Sequence, residues 1–186
     1  MIRTEPTPNP NALKFLLNKE VRGNKGPLYY KKDPQNNPEA DAPVAYALFK
    51  IDGVEDVFFG SDFITVSKND TTEWDKIKDD VMHTIEYHDV GPFVIEAVKP
   101  ACDDINSDAG VSKTEKQIVH LLEQRVRPAV AQDGGDIIFH SFKDGVVYLE
   151  MHGACSGCPS STATLKMGIE NMLRHYIPEV NRVEPI

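Results

Sequence analysis

Residues 100–112 read PACDDINSDAGVS, a stretch short of large apolar side chains and rich in Asp, Asn, Ser and Gly. Such a segment has little to bury and punctuates a chain rather than joining a core. It falls near the middle of 186 residues, so the apolar material on either side must form two small cores instead of one large one. The expected organisation is an N-terminal domain over 1–99, a linker over 100–112 and a C-terminal domain over 113–186. Each side is large enough to fold without disulfides.

Charge narrows the partners. The formal net charge is -9 at pH 7, with acidic residues spread along the chain, so most of the surface repels a phosphate backbone. Nucleic acid is therefore not an expected partner. No run approaches the roughly 20 apolar residues that a membrane span needs, and the opening Met1-Ile2-Arg3-Thr4-Glu5-Pro6 lacks the apolar core of a signal peptide. A soluble, unexported protein without a membrane partner is expected, in the bacterial cytoplasm or, as the alternative, the mitochondrial matrix. Three cysteines cannot build a disulfide framework in a chain of this size, which suits a reducing compartment. Cys155 and Cys158 form a C-x-x-C pair. Cys102 stands apart beside Asp103 and Asp104, whose charges disfavour its thiolate.

In the first half, Thr7-Pro8-Asn9-Pro10-Asn11 is stiff and extended or turned, and residues 12–17 (ALKFLL) read as a strand. Over 23–43, Pro, Asn, Lys and Asp dominate, and a loop is expected. Residues 44–50 suit a short helix that stops at Asp52-Gly53. Two β-rich runs, 54–59 and 63–67, flank Gly60-Ser61-Asp62 and predict a hairpin. Trp74, Ile77, Val81 and Ile85 recur at helical spacing, so a helix runs from Thr72 and ends before Gly91-Pro92. His83 and His88 fall on different faces of that helix and make no ligand pair.

The second half is more strongly patterned. Ser112-Lys113-Thr114-Glu115 has capping-box spacing, and Ile118, Leu122 and Val126 follow on one stripe. Pro128 lacks an amide hydrogen and crowds the preceding turn, so the helix must kink or stop near it. In Asp133-Gly134-Gly135-Asp136 the glycines are expected to supply turn angles closed to other residues, with close approach to a ligand as the alternative. Residues 137–142 and 146–151 flank Lys143-Asp144-Gly145, a hairpin signal. Val147, Leu149 and Met151 share its core face, and Val146, Tyr148, Glu150 and His152 the mixed one. After Gly153-Ala154-Cys155-Ser156-Gly157-Cys158-Pro159, residues Leu165, Ile169, Met172, Leu173 and Tyr176 mark a helix with Pro159 as its first residue. Pro178 ends it, and 180–183 reads as a last strand. Both halves are α+β, the second in the order helix, hairpin, helix, strand.

The cysteine pair therefore lies between a strand and a helix N-terminus, where orphan amides and the helix dipole favour a thiolate. A thiolate both binds metal and attacks disulfides, so C-x-x-C alone fits a redox dithiol, half a zinc site or an iron-sulfur ligand pair. Ser156 and Gly157 fill the motif, and the only Trp is in the other half, which weakens a thioredoxin-like reading. A zinc site needs closed ligation. His120, His140, His152 and His175 stand at spacings of no familiar zinc module, and His152, nearest the pair, reads as structural. An iron-sulfur cluster needs about four sulfur donors. A second copy of the chain, related by a two-fold axis, supplies the missing ones. A cluster held between two chains keeps exposed edges and is easier to give away.

The run RPAVAQDGGD at 127–136, followed by GVVYLEMHGACSGCPSSTATLKMGIENMLRHYIPEV, closely resembles the C-terminal NifU-like domain of Nfu iron-sulfur cluster scaffold and carrier proteins. TPNPNALKF through GVEDVFFGSDFITVSK is similar to the N-terminal domain of the same proteins. The resemblance implies a cluster of 4Fe-4S type, with 2Fe-2S left open, bridging a homodimer through Cys155 and Cys158. It implies assembly proteins as donors and apo iron-sulfur enzymes as recipients, and a carrier rather than an enzyme. The enzyme-class rival is a thiol-disulfide oxidoreductase with Cys155 as nucleophile. A zinc-bridged structural dimer is the third reading.

Overall fold

The computed structural model describes residues 2–22, 27–33, 42–88, 112–155 and 159–186. Cys102 and the expected linker, apart from Ser112, lie outside them. The chain forms two units, Met1–Ala97 and Val98–Ile186, each mixing helices with a sheet of its own, so the fold is α+β.

In the first unit the Pro-Asn segment turns the chain between β1 (Arg3–Pro6) and β2 (Ala12–Leu16), with Asn9 Oδ1 accepting from the Asn11 amide at 3.0 Å. The chain continues through β3 (Leu28–Lys31), α1 (Pro43–Phe49), β4 (Val54–Phe59), β5 (Phe63–Lys68) and α2 (Trp74–Tyr87). The strands form an antiparallel sheet in the order β1-β2-β5-β4-β3. Alternation along the strands puts Phe15, Val57, Phe59, Ile64 and Val66 into one buried cluster with Leu48 of α1 and Ile77, Val81 and Ile85 of α2.

Two strands escape the sequence pattern. β1 is Arg-Thr-Glu-Pro, with no large apolar side chain to signal it, and is placed by its ladder on β2. β3 falls within the stretch expected to be a loop. It is an edge strand, held by Tyr30 standing edge-on to Phe59 at 6.0 Å and by the Tyr29 hydroxyl donating to Asp56 Oδ1 at 2.8 Å.

The second unit opens with α3 (Lys113–Leu121). Its capping box is complete: the Glu115 amide donates to Ser112 Oγ at 3.1 Å, and the Ser112 amide to Glu115 Oε2 at 2.8 Å. Pro128 neither stops nor simply kinks the helix. A π-helical turn, Leu122–Val126, precedes it and passes directly into α4 (Arg127–Gln132). The wider turn relaxes the crowding that a proline ring imposes on the carbonyl four residues back. Ile118, Leu122, Val126 and Val130 all stay buried through the irregularity.

β6 (Gly135–Lys143) and β7 (Val146–Gly153) then form an antiparallel hairpin. Asp144 and Gly145 have φ of 52° and 78°, the paired left-handed angles of a tight hairpin turn. After the cysteine loop, α5 (Pro159–Tyr176) crosses back and β8 (Arg182–Pro185) pairs parallel to β7. β8 begins two residues later than the sequence suggests, because Val180 turns inward on the loop after Ile177. Val147, Leu149, Ile169, Leu173 and Val183 close the core. Tyr176 is 47 % exposed rather than buried, and the Arg125 guanidinium sits 4.9 Å from its ring centre.

Replacing Ser112 with Ala removes the side-chain half of the capping box and is expected to cost about 1 kcal/mol. Urea unfolding monitored on the C-terminal unit measures it; an unchanged midpoint contradicts a stabilising cap.

Candidate functional site

β7 ends at Gly153, whose φ of 64° turns the chain away from the sheet. Ala154 and Cys155 follow in a turn, and α5 begins at Pro159. Cys155 is thus carried on the strand-to-helix connection. Cys158 lies outside the described residues, so the structure places one of the two expected ligands.

The neighbours of Cys155 come from the glycine turn. The Ala154 amide donates to the Gly134 carbonyl at 3.3 Å, which ties the start of the cysteine loop to the start of β6. Gly135 pairs with Gly153 in the ladder. A β-carbon on residue 135 would lie 2.6 Å from Cys155 Sγ and 2.7 Å from the His152 carbonyl oxygen. The two glycines therefore do different work. Gly134, at φ 84°, supplies a left-handed angle, whereas Gly135 leaves room for the sulfur.

Asp136 fixes this arrangement from below. Its carboxylate accepts from Arg127 Nε at 2.9 Å and Nη2 at 2.7 Å, a bidentate pair, and from the Ile137 amide at 2.9 Å. The pair joins α4 to the first residues of β6. On the other side, Thr162 Oγ1 donates to the Cys155 carbonyl at 3.2 Å, which holds the first turns of α5 against the loop.

Cys155 is buried and belongs to the apolar cluster of the unit. Burial, with smaller contributions from Asp133 and Asp136, pushes its thiol up to about 12. The expectation of a stabilised thiolate is corrected here. The sulfur lies against Gly135 among apolar side chains, and lost hydration plus two nearby carboxylates outweigh the pull of a helix N-terminus.

His152, the spare ligand considered from sequence, places Nε2 3.0 Å from Glu150 Oε1. His140 Nδ1 is 3.5 Å from Ser141 Oγ. Among the described residues no group of three or more His, Cys, Asp or Glu is arranged to hold a metal ion, and no helix is long and apolar enough to cross a membrane. Sequence reasoning missed Gly135 as a spacer and the Arg127–Asp136 pair. The glycine pair was visible as a turn, but its second role exists only once residue 135 is set opposite Gly153. Arg127 and Asp136 carry no periodic signal.

Comparison with known proteins matches a family domain to each half of the chain. The model described as scaffold protein Nfu/NifU N terminal matches residues 2–90, and the NifU-like domain matches residues 118–184. The chain belongs to the Nfu/NifU family. It is 46 % identical over 186 residues to the NFU1 iron-sulfur cluster scaffold homolog, mitochondrial, of Drosophila persimilis, and 47 % identical over 187 residues to that of Drosophila willistoni. Both alignments take in 100 % of this chain, which spans 64 % and 63 % of the length of those relatives. A solution structure of a NifU-like protein from Saccharomyces cerevisiae is similar at 28 % identity and a TM-score of 0.46, over 52 % of this chain and 85 % of that one.

Two outcomes test the site. Gly135→Ala is expected to overpack the turn by about 1–3 kcal/mol and to displace the sulfur, so alkylation of Cys155 should accelerate while the C-terminal unit loses stability. Raising a thiol from 9.0 to about 12 keeps it neutral at ordinary pH. Labelling of Cys155, resolved by mass spectrometry, should then climb about tenfold per pH unit above 8 without levelling near 9. The linked stability is fully present below pH 9 and declines as pH rises toward 12; a labelling plateau near pH 9 contradicts the buried thiol.

Proposed function

We propose that this chain is an iron-sulfur cluster scaffold and carrier in which Cys155 and Cys158 of two copies hold one cluster of 4Fe-4S type. The observation that carries the reading is the place of Cys155: on the loop between β7 and α5, inside the segment that matches the NifU-like domain. The family's two-part organisation and the relatives named as iron-sulfur cluster scaffolds support it.

The chemistry follows from the donor set. One chain offers two thiols in this loop, and a cluster takes about four sulfur donors. Two loops brought together by a two-fold axis complete the set. Binding requires each thiol to lose its proton, and metal binding drives that loss even from a group as reluctant as Cys155. The same reluctance favours release. When a recipient thiolate displaces a cysteine sulfur from iron, the freed sulfur regains a proton, and burial stabilises the neutral product. Assembly proteins are the donors in this reading and apo iron-sulfur enzymes the recipients. The domain over 1–99 carries no ligand pattern and serves partner recognition. The relatives are named as mitochondrial, which favours the matrix over the bacterial cytoplasm for this chain.

The oxidoreductase reading fares worse on one observation. A nucleophilic cysteine works as its thiolate, and Cys155, held neutral up to about pH 12 by burial, is a poor attacking group at pH 7.

Anaerobic addition of ferrous iron and sulfide should give a brown protein whose dimer fraction rises with iron and sulfide content. Cys155→Ser and Cys158→Ser should each abolish both colour and dimer. A monomer that carries its full iron content, or a serine variant that keeps the cluster, contradicts the proposal; a colourless dimer holding one zinc favours the structural-metal reading instead.

A further inference from the structure

Residues 133–136 connect α4 to β6, and each bears on the cysteine loop. The Gly134 carbonyl accepts from the Ala154 amide, Gly135 leaves the space beside Cys155 Sγ, and the carboxylates of Asp133 and Asp136 both work against ionisation of that sulfur. The two carboxylates differ in setting. Asp133 is exposed, whereas the Asp136 side chain is only 6 % exposed, so water and salt screen its charge much less.

A negative charge at that place is a liability for a metal ligand. Ligation leaves a cysteine as its thiolate, and a thiolate near a buried, uncompensated carboxylate is repelled. The Ile137 amide donates to Asp136 Oδ1, but an uncharged carboxamide oxygen could accept the same bond, so the turn alone does not demand the charge. Arg127 is what offsets it. Its Nε and Nη2 reach one carboxylate oxygen each, at 2.9 and 2.7 Å, and this fork fixes the position of the positive charge as well as its presence.

We propose that Arg127 is a positioning residue for cluster retention: through its bidentate grip on Asp136 it cancels the carboxylate charge beside the Cys155 thiolate and thereby sets how long the loop keeps its cluster. The inference rests on the cluster-carrier role proposed above and adds to it a residue that acts through Asp136 rather than on the sulfur. A clasp that only held α4 to β6 would stabilise the fold and leave the electrostatics of the bound cluster alone. Charge compensation instead makes the net charge of the 127–136 pair the controlling quantity, whichever residues supply it.

The test uses the whole chain, reconstituted anaerobically with ferrous iron and sulfide. Cluster loss is followed by bleaching of the visible absorption in excess bipyridyl, the midpoint potential of the bound cluster by redox titration, and folding by the thermal midpoint of the apo chain. Arg127→Gln leaves the Asp136 charge unbalanced. It should bleach about tenfold faster than the parent, lower the cluster potential and lower the apo thermal midpoint, since a buried charge has lost its partner. Arg127→Lys keeps the charge without the fork, and Arg127→Gln combined with Asp136→Asn makes the pair neutral again. Both should return bleaching to within about threefold of the parent and restore the potential, even where the apo chain stays less stable. Parental bleaching in Arg127→Gln, or a combined variant that bleaches as fast as Arg127→Gln alone, overturns the proposal and leaves the carrier reading standing. If Arg127→Gln does not fold, the other two variants decide: slow bleaching in both upholds charge compensation, and fast bleaching in either overturns it. A parental chain that takes up no iron and sulfide overturns both the proposal and the carrier reading.

Discussion

The structure of the C-terminal unit depends on a missing side chain. Because residue 135 has no β-carbon, the cysteine loop can close down on the first residue of β6, with Sγ of Cys155 in the space that a methyl group would fill. The register of the hairpin, the Asp136–Arg127 pair and the Thr162 bond to the Cys155 carbonyl all converge on that contact. They bring a strand end, a helix end and a helix start to one point. The sulfur is packed against Gly135 within the apolar cluster, which is why its proton is hard to remove.

In the carrier reading proposed above, that packing bears on the difference between storing a cluster and passing it on. A site built to keep its metal surrounds the thiolate with donors and charge. Here Cys155 lies among apolar side chains with two carboxylates nearby, so its protonated state is the favoured one.

The sequence was most legible where local rules and burial agree. The capping box at Ser112, the Asp144-Gly145 turn, the Val147-Leu149-Met151 face and the Ile77-Val81-Ile85 stripe can each be read from a few neighbouring residues, and each appears in the fold. The departures have a common cause. β1 and β3 are defined by what they pair with, not by their own apolar pattern. Tyr176 keeps helical spacing but meets Arg125 rather than the core. Pro128 is a sound signal of local disruption, yet the helix absorbs it with a wider turn because Val126 and Val130 gain by staying buried. At the site, composition and placement announced the loop. The burial that reverses the acidity of Cys155 depends on Gly135 and Asp136, which become its neighbours only through the ladder.

The parallel pairing of β8 with β7 bears on how the unit assembles. A hairpin with a tight two-residue turn closes on the microsecond scale, because its partners are adjacent in the chain. β8 has no such shortcut: it reaches β7 only after α5 has formed and crossed the sheet, and contacts between distant segments are slow to find. The parallel ladder is therefore expected to form after the hairpin, and a mutation that delays docking of α5 prolongs the interval in which Cys155 lacks the packing that buries it.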